Sequence, residues 1–222
     1  KAKGEYALNL TAEHGPFTVR VGRTGTKFTA ENAELSALVA TIQGAGAAYN
    51  IPQLNQMARL LDGRDQKYTF TSVGASMDWN DIIVQTEYAK RKMPESFLGS
   101  SKSWYVLTGY RFGKVLPYYS HAKVTASTSA NMIPTACAAG APAACTPTVT
   151  ALHGLMELLS TSISGTGQTT DSIGVRWDFT SSAAIKFQID RIKPESTGLF
   201  VNVQPGFKGP VTVGAVAVDF VF

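Results

Sequence analysis

The residues able to do chemistry here are few and scattered: His14, His121 and His153, Cys137 and Cys145, and a spread of carboxylates and hydroxyls. A nucleophilic serine needs a base within hydrogen-bond reach, and the chain has no Gly-x-Ser-x-Gly elbow. Its glycine-rich runs lack the Lys-Ser or Lys-Thr ending of a phosphate-cradling loop. The histidines fall in a turn, an alternating segment and a helical pattern, so none sits at useful spacing from a partner. A metal centre takes more ligands than two cysteines eight residues apart provide. The reading is therefore no catalytic residue, no metal site, no cofactor and no enzyme.

The cysteines lie in a small-residue loop, Ala136-Cys137-Ala138-Ala139-Gly140-Ala141-Pro142-Ala143-Ala144-Cys145. Two free thiols are one reading. The favoured one is a disulfide stapling that loop in an oxidising compartment.

Behind these residues stand elements with a two-residue period. Tyr6 to Ala12 alternates apolar with polar, as does Phe17 to Gly22, across a turn composition at Glu13-His14-Gly15-Pro16. The unit recurs as Lys67–Met77 with Asp81–Arg91, as Ser103–Phe112 with Val115–Ala126, and as Asp171–Phe179 with Ala183–Ile192. A ninth strand runs from Val211 to Phe222. In the later strands Ile173, Val175, Trp177, Ile185, Phe187, Val216 and Val218 form one apolar set. Short turns within pairs and long connections between them are the pattern of a transmembrane β-barrel with short turns at one rim.

The composition permits that. The chain is 44% hydrophobic with mean hydropathy near zero, and no stretch reaches the roughly 18 apolar residues of a spanning helix. A helical membrane protein is excluded, but barrel strands average to neutral hydropathy. A net charge of +4, spread along the chain, argues against a nucleic-acid partner. Lys1 to Tyr6 is charged with no apolar run behind it, so no secretory leader is visible.

Two long connections carry helical periodicity. Leu35, Leu38, Val39 and Ile42 follow start signals at Thr29 and Glu31, and Leu54, Met57, Ala58 and Leu61 follow Pro52. Val149 to Leu159 is a third helical segment. These helices either pack at the rim or fold into the lumen.

The ending Gly214-Ala215-Val216-Ala217-Val218-Asp219-Phe220-Val221-Phe222 resembles the C-terminal assembly signal of outer-membrane proteins. Its key positions are Gly214, Val216, Val218, Phe220 and Phe222. Leu107 to Tyr119 and Asp171 to Arg191 resemble strand-turn-strand units of proteobacterial porins. That resemblance implies the outer membrane of a Gram-negative bacterium, outer-membrane lipid and the barrel-assembly machinery as partners, and a homotrimer of barrels of about 16 strands. Residues 1–222 are then a single β-barrel domain, all-β and antiparallel. Nine visible strands, an odd number, make it the C-terminal portion of a longer chain. Lipases and proteases also occur on such barrels.

Assigning each strand's apolar set to lipid puts Arg20, Glu87, Arg91, Arg111, His121, Lys123, Arg176, Asp178, Lys186, Asp190 and Asp219 on the pore wall. Such charges either pair across strands, as Arg176 with Asp178 and Lys186 with Asp190 could, or act on ions. The basic excess predicts passive diffusion of small hydrophilic solutes with a weak anion preference. The alternatives are a plugged structural or adhesive barrel and a soluble β-rich binding module.

Overall fold

The computed structural model describes the chain apart from residues 31, 98, 128–130, 164–166, 196–199, 201–203, 205 and 222. Nine strands form one antiparallel meander in which each pairs with its sequence neighbours: β1 (Ala2–His14), β2 (Phe17–Phe28), β3 (Gln66–Trp79), β4 (Ile82–Lys92), β5 (Ser100–Tyr110), β6 (Val115–Ser127), β7 (Gln168–Trp177), β8 (Ala183–Pro194) and β9 (Val211–Phe220). Among the described residues the sheet is not closed. β1 and β9 each keep one edge with no partner strand among the described residues.

Four tight turns lie at one end of the sheet, and their residues show why. Asn80 and Asp81 both take positive φ, 48° and 66°, which suits a two-residue connection matching the twist of the paired strands. Gly15 and Gly113 supply the same left-handed backbone, at φ 56° and 59°. Strands outrun their alternating cores, so β1 spans 13 residues and β3 spans 14, long enough to cross a bilayer at a tilt.

Three helices occupy the long connections at the other end: α1 (Ala33–Tyr49), α2 (Pro52–Leu61) and α3 (Cys145–Ile163). Asn32, not Thr29, caps α1, its side chain accepting from the backbone N–H of Glu34 at 2.9 Å and of Leu35 at 3.1 Å. Pro52 opens α2, where its missing N–H does no harm. The helices pack on one another rather than on the strands. Their buried faces share one apolar core built from Ile42, Leu54, Met57, Val149 and Met156, with Phe97 of the β4–β5 connection and Ile133 added. Cys137 and Cys145 are disulfide-bonded, with Cys145 buried in that core. Of the two placements open for the helices, the rim fits: a cap held at the long-connection end by main-chain bonds such as Phe97 N–H to Leu60 O, 2.8 Å.

Candidate pore-facing surface

Because side chains alternate along a strand and paired residues share a face, the register sorts every strand residue onto one of two faces. One face collects the large exposed apolar side chains. Leu8, Leu10, Val19, Val21, Val73, Val106, Ile173, Phe187, Ile189, Val216 and Val218 all belong to it, linked through pairs such as Leu10–Val21–Val73 and Ile173–Ile189. Aromatic residues bound this band at both ends. Phe17, Trp79, Tyr110, Trp177 and Phe220 stand beside the tight turns, and Tyr6, Tyr88 and Trp104 stand towards the cap. We call this the outward face.

The other, inward face is richer in small and polar residues, among them Asn9, Thr11, Ser72, Gly74, Ser76, Gln85, Ser103 and Ser172, interspersed with larger ones such as Phe70, Tyr105, Leu107 and Tyr118. It is concave. One hollow of about 440 Å³ spans β1 to β5, with Arg20, Ser72, Glu87 and Tyr105 on its wall, and a second of about 340 Å³ spans β3 to β7.

Arg20, Glu87, Arg91, Arg176, Lys186, Asp190 and Asp219 are on the inward face by register, and Arg111 and Asp178 join them at strand ends. Some are paired. Arg176 donates from Nε to Asp178, 2.8 Å, and from Nη1 to Asp219 on β9, 3.3 Å. Arg111 reaches Asp78 at 3.1 Å, a partner absent from the sequence reading. Lys186 and Asp190 do not pair with each other. Lys186 Nζ stands 5.2 Å from the Tyr118 ring centroid, while Asp190 accepts from Gln188 at 2.7 Å. Gln188 in turn accepts from the Tyr118 hydroxyl at 2.7 Å. That ring lies across Gly174, where a Cβ would meet it at 2.2 Å, so a larger residue there would have to displace the Tyr118 ring. Arg20, Arg91 and Glu87 have no ion-pair partner among the described residues, and the buried Nε of Arg91 has no acceptor among them.

His121 and Lys123 are not on this wall. In register His121 lies between Val106 and Asp171, and Lys123 between Trp104 and Thr169, all outward. The reason is the fixed period of two: once Val115, Pro117 and Tyr119 point outward, positions 121 and 123 must follow. Treating polar as inward fails on β6, whose adjacent Tyr118 and Tyr119 blur the alternation. With these two removed and Glu13 and Asp78 added, the inward face carries Arg20, Arg91, Arg111, Arg176 and Lys186 against Glu13, Asp78, Glu87, Asp178, Asp190 and Asp219. The basic excess expected of the pore wall is gone, and with it the basis for an anion preference.

The excess is on the other face. Lys3, Arg23, Lys27, Lys67, Lys90, Lys92, Lys102, Lys123, Arg191 and Lys193 all point outward, and Asp171 is the acid among them, with Glu5 left in the β1 bulge. Every one lies in the half of its strand nearer the cap. Asp171 gathers a cluster: His121 Nδ1 at 2.8 Å, the Tyr119 hydroxyl at 2.8 Å and Lys193 Nζ at 3.5 Å, with His121 also beside Trp104.

Of the terminal assembly positions, Gly214, Val216, Val218 and Phe220 line the outward face of β9. Phe222 lies outside the described residues.

No family model matches this chain, and no curated protein matches it. Among solved structures it is similar to OmpT (in-vitro folded), an outer membrane protein of Vibrio cholerae, with a TM-score of 0.50 and 11% identity. The likeness covers 98% of this chain and 55% of that one, so the chain spans about half of OmpT's length. At that identity the likeness is one of fold, and it places the nine-stranded sheet with outer-membrane β-barrels.

The expectation that the chain is not an enzyme does not survive this. A barrel fold does not exclude catalysis, since function resides in sites grafted onto folds. The expectation also rested on histidines without partners, and the sheet gives His121 a carboxylate at 2.8 Å.

Proposed function

We propose that this chain is the C-terminal portion of an outer-membrane channel, a wall segment past which small hydrophilic solutes diffuse. The observation that supports this reading most is the division of one sheet into an outward apolar face between two aromatic belts and an inward, concave one that is more polar. In such barrels the lumen side is polar and the lipid side apolar. Charge on the inward face is near balance, so selectivity between small ions is weak. Arg20, Arg91 and Glu87, being unpaired among the described residues, are the groups best placed to meet a solute. The tight turns then face the periplasm and the helical cap the exterior. Further strands close the barrel, the assembled protein is a trimer, and β9 with Phe220 is the segment recognised by the assembly machinery. Conductance of the full-length protein in a planar bilayer tests the reading. Stable, voltage-ohmic open steps are expected; a protein that inserts but never conducts refutes the channel.

One observation favours a second reading. His121, oriented by Asp171 and beside Trp104 of the cap-side belt, has the arrangement of a general base. It would act on an ester at the membrane surface through an activated water. Lipid vesicles incubated with the protein would then release free fatty acid, and His121→Ala would abolish the release.

A further inference from the structure

We propose that the outward basic residues near the cap form a binding belt for phosphate-bearing lipid headgroups of the outer leaflet. The inference rests on the outward-face assignment above, and not on the channel.

Three observations carry it. The first is position: going up β1, β2, β4, β5 and β8 from their tight turns, the apolar outward positions end and cationic ones follow. Val21 is followed by Arg23, Tyr88 by Lys90 and Lys92, and Trp104 on β5 gives way to Lys102. That is the level at which a hydrocarbon layer gives way to headgroups, and long basic side chains reach outward from it along their own methylenes. The second is charge that the protein does not neutralise. Lys90 stands directly opposite Lys102, a like-charge pair that destabilises a sheet unless an anion sits between. None of Arg23, Lys90, Lys92 or Lys102 has an ion-pair partner among the described residues. The third is shape. A groove of about 230 Å³ opens on this face, lined by Arg23, Thr69, Thr71, Tyr88, Lys90 and Lys92. Cations beside hydroxyl donors suit the tetrahedral oxygens of a phosphate monoester. A zwitterionic headgroup brings its own cation and gains far less.

Trp104, beside the belt, is a built-in reporter. The full-length protein, with every tryptophan except Trp104 changed to Phe, is reconstituted in phosphatidylcholine containing either dibrominated phosphatidic acid or dibrominated phosphatidylcholine. Bromine quenches only in contact, so the ratio of the two gives the relative affinity at that site. We expect the acidic lipid to be preferred by about five-fold or more, the gain of a single cation near an anionic surface. The variant Arg23→Gln/Lys90→Gln/Lys92→Gln/Lys102→Gln should lose the preference, while Lys90→Arg/Lys92→Arg should keep it, which separates charge from damage to the fold. A protein retaining Trp79 alone, at the opposite belt, should show no preference. Equal quenching of Trp104 by both lipids overturns the belt. No quenching by either would instead overturn the outward-face assignment. Inorganic phosphate should compete better than chloride at equal ionic strength, as the shared phosphate chemistry requires, yet leave the acidic lipid preferred; loss of that preference in phosphate would make this a free-anion site and end the lipid proposal.

Discussion

The two faces of this sheet are made by the same strands, residue by residue, yet they treat charge in opposite ways. Inward, cations and anions nearly balance, and Arg176 and Arg111 are neutralised by carboxylates. Outward, charges are confined to the cap end and almost all are basic, with Lys90 set against Lys102. The difference teaches that polarity alone does not say which way a strand residue faces. An outward residue is apolar only while it is inside the hydrocarbon; above it, charge returns on the same face. His121 and Lys123 are the case in point.

The largest effect that would sharpen this comparison comes from moving charge across it within the apolar band. Val175 and its cross-strand neighbour Phe187 are paired on the outward face, within the apolar band. Val175→Arg should destabilise the folded protein in lipid by about 2–4 kcal/mol. Gln188→Arg, one position along and inward, should change stability by under about 1 kcal/mol. Urea unfolding in lipid vesicles measures both, and equal effects would erase the distinction between faces.

Charge reversal gives the next effect, on conduction. Arg20→Glu, inward and unpaired among the described residues, should move the reversal potential in a salt gradient towards cation selectivity. Arg176→Glu should move it too, since it strands two carboxylates. Lys123→Glu, outward, should leave the potential where it was. Raising the salt should shrink every shift as screening tightens. A response from Lys123→Glu as large as that from Arg20→Glu would return Lys123 to the wall.

The smallest effect concerns the cap, where Arg64 grips Asp62 through Nε at 2.9 Å and Nη2 at 2.7 Å. The Arg64 hydrogen bond holds the Asp62 carboxyl below the usual carboxylate range, against the opposing push of partial burial. A depressed folded pKa means this contribution is complete above the ordinary carboxylate range and is lost as pH falls through the lowered value. For an exposed pair it amounts to roughly 0.2–1 kcal/mol. Asp62→Asn should remove that part of the cap's acid sensitivity, read by hydrogen exchange of α2, and leave the sheet unchanged.

Much of this architecture is legible in the amino-acid order. Asn80-Asp81 and Gly113 announce tight turns, and the alternation of Ile173 to Phe179 gives a strand and its lipid side. Leu54, Met57, Ala58 and Leu61 mark a helix face that is buried in the structure. What the order hides is non-local. The first long connection carries no sign that its helices meet Val149 and Met156 from another, because that core is assembled from residues about a hundred positions apart. The face of His121 was hidden as well, since a strand of mixed character takes its register from its neighbours. The His121–Asp171 contact spans 50 residues and no spacing rule finds it.

The central claim is the assignment of faces, and labelling of β8 in the membrane tests it most directly. Single cysteines at Lys186, Phe187, Gln188 and Ile189 can be introduced without interference from Cys137 and Cys145, which are disulfide-bonded. The account predicts that a water-soluble, membrane-impermeant maleimide labels positions 186 and 188, while a lipid-dissolved photoreactive thiol reagent labels 187 and 189. The reverse pattern, or labelling without a period of two, would contradict it.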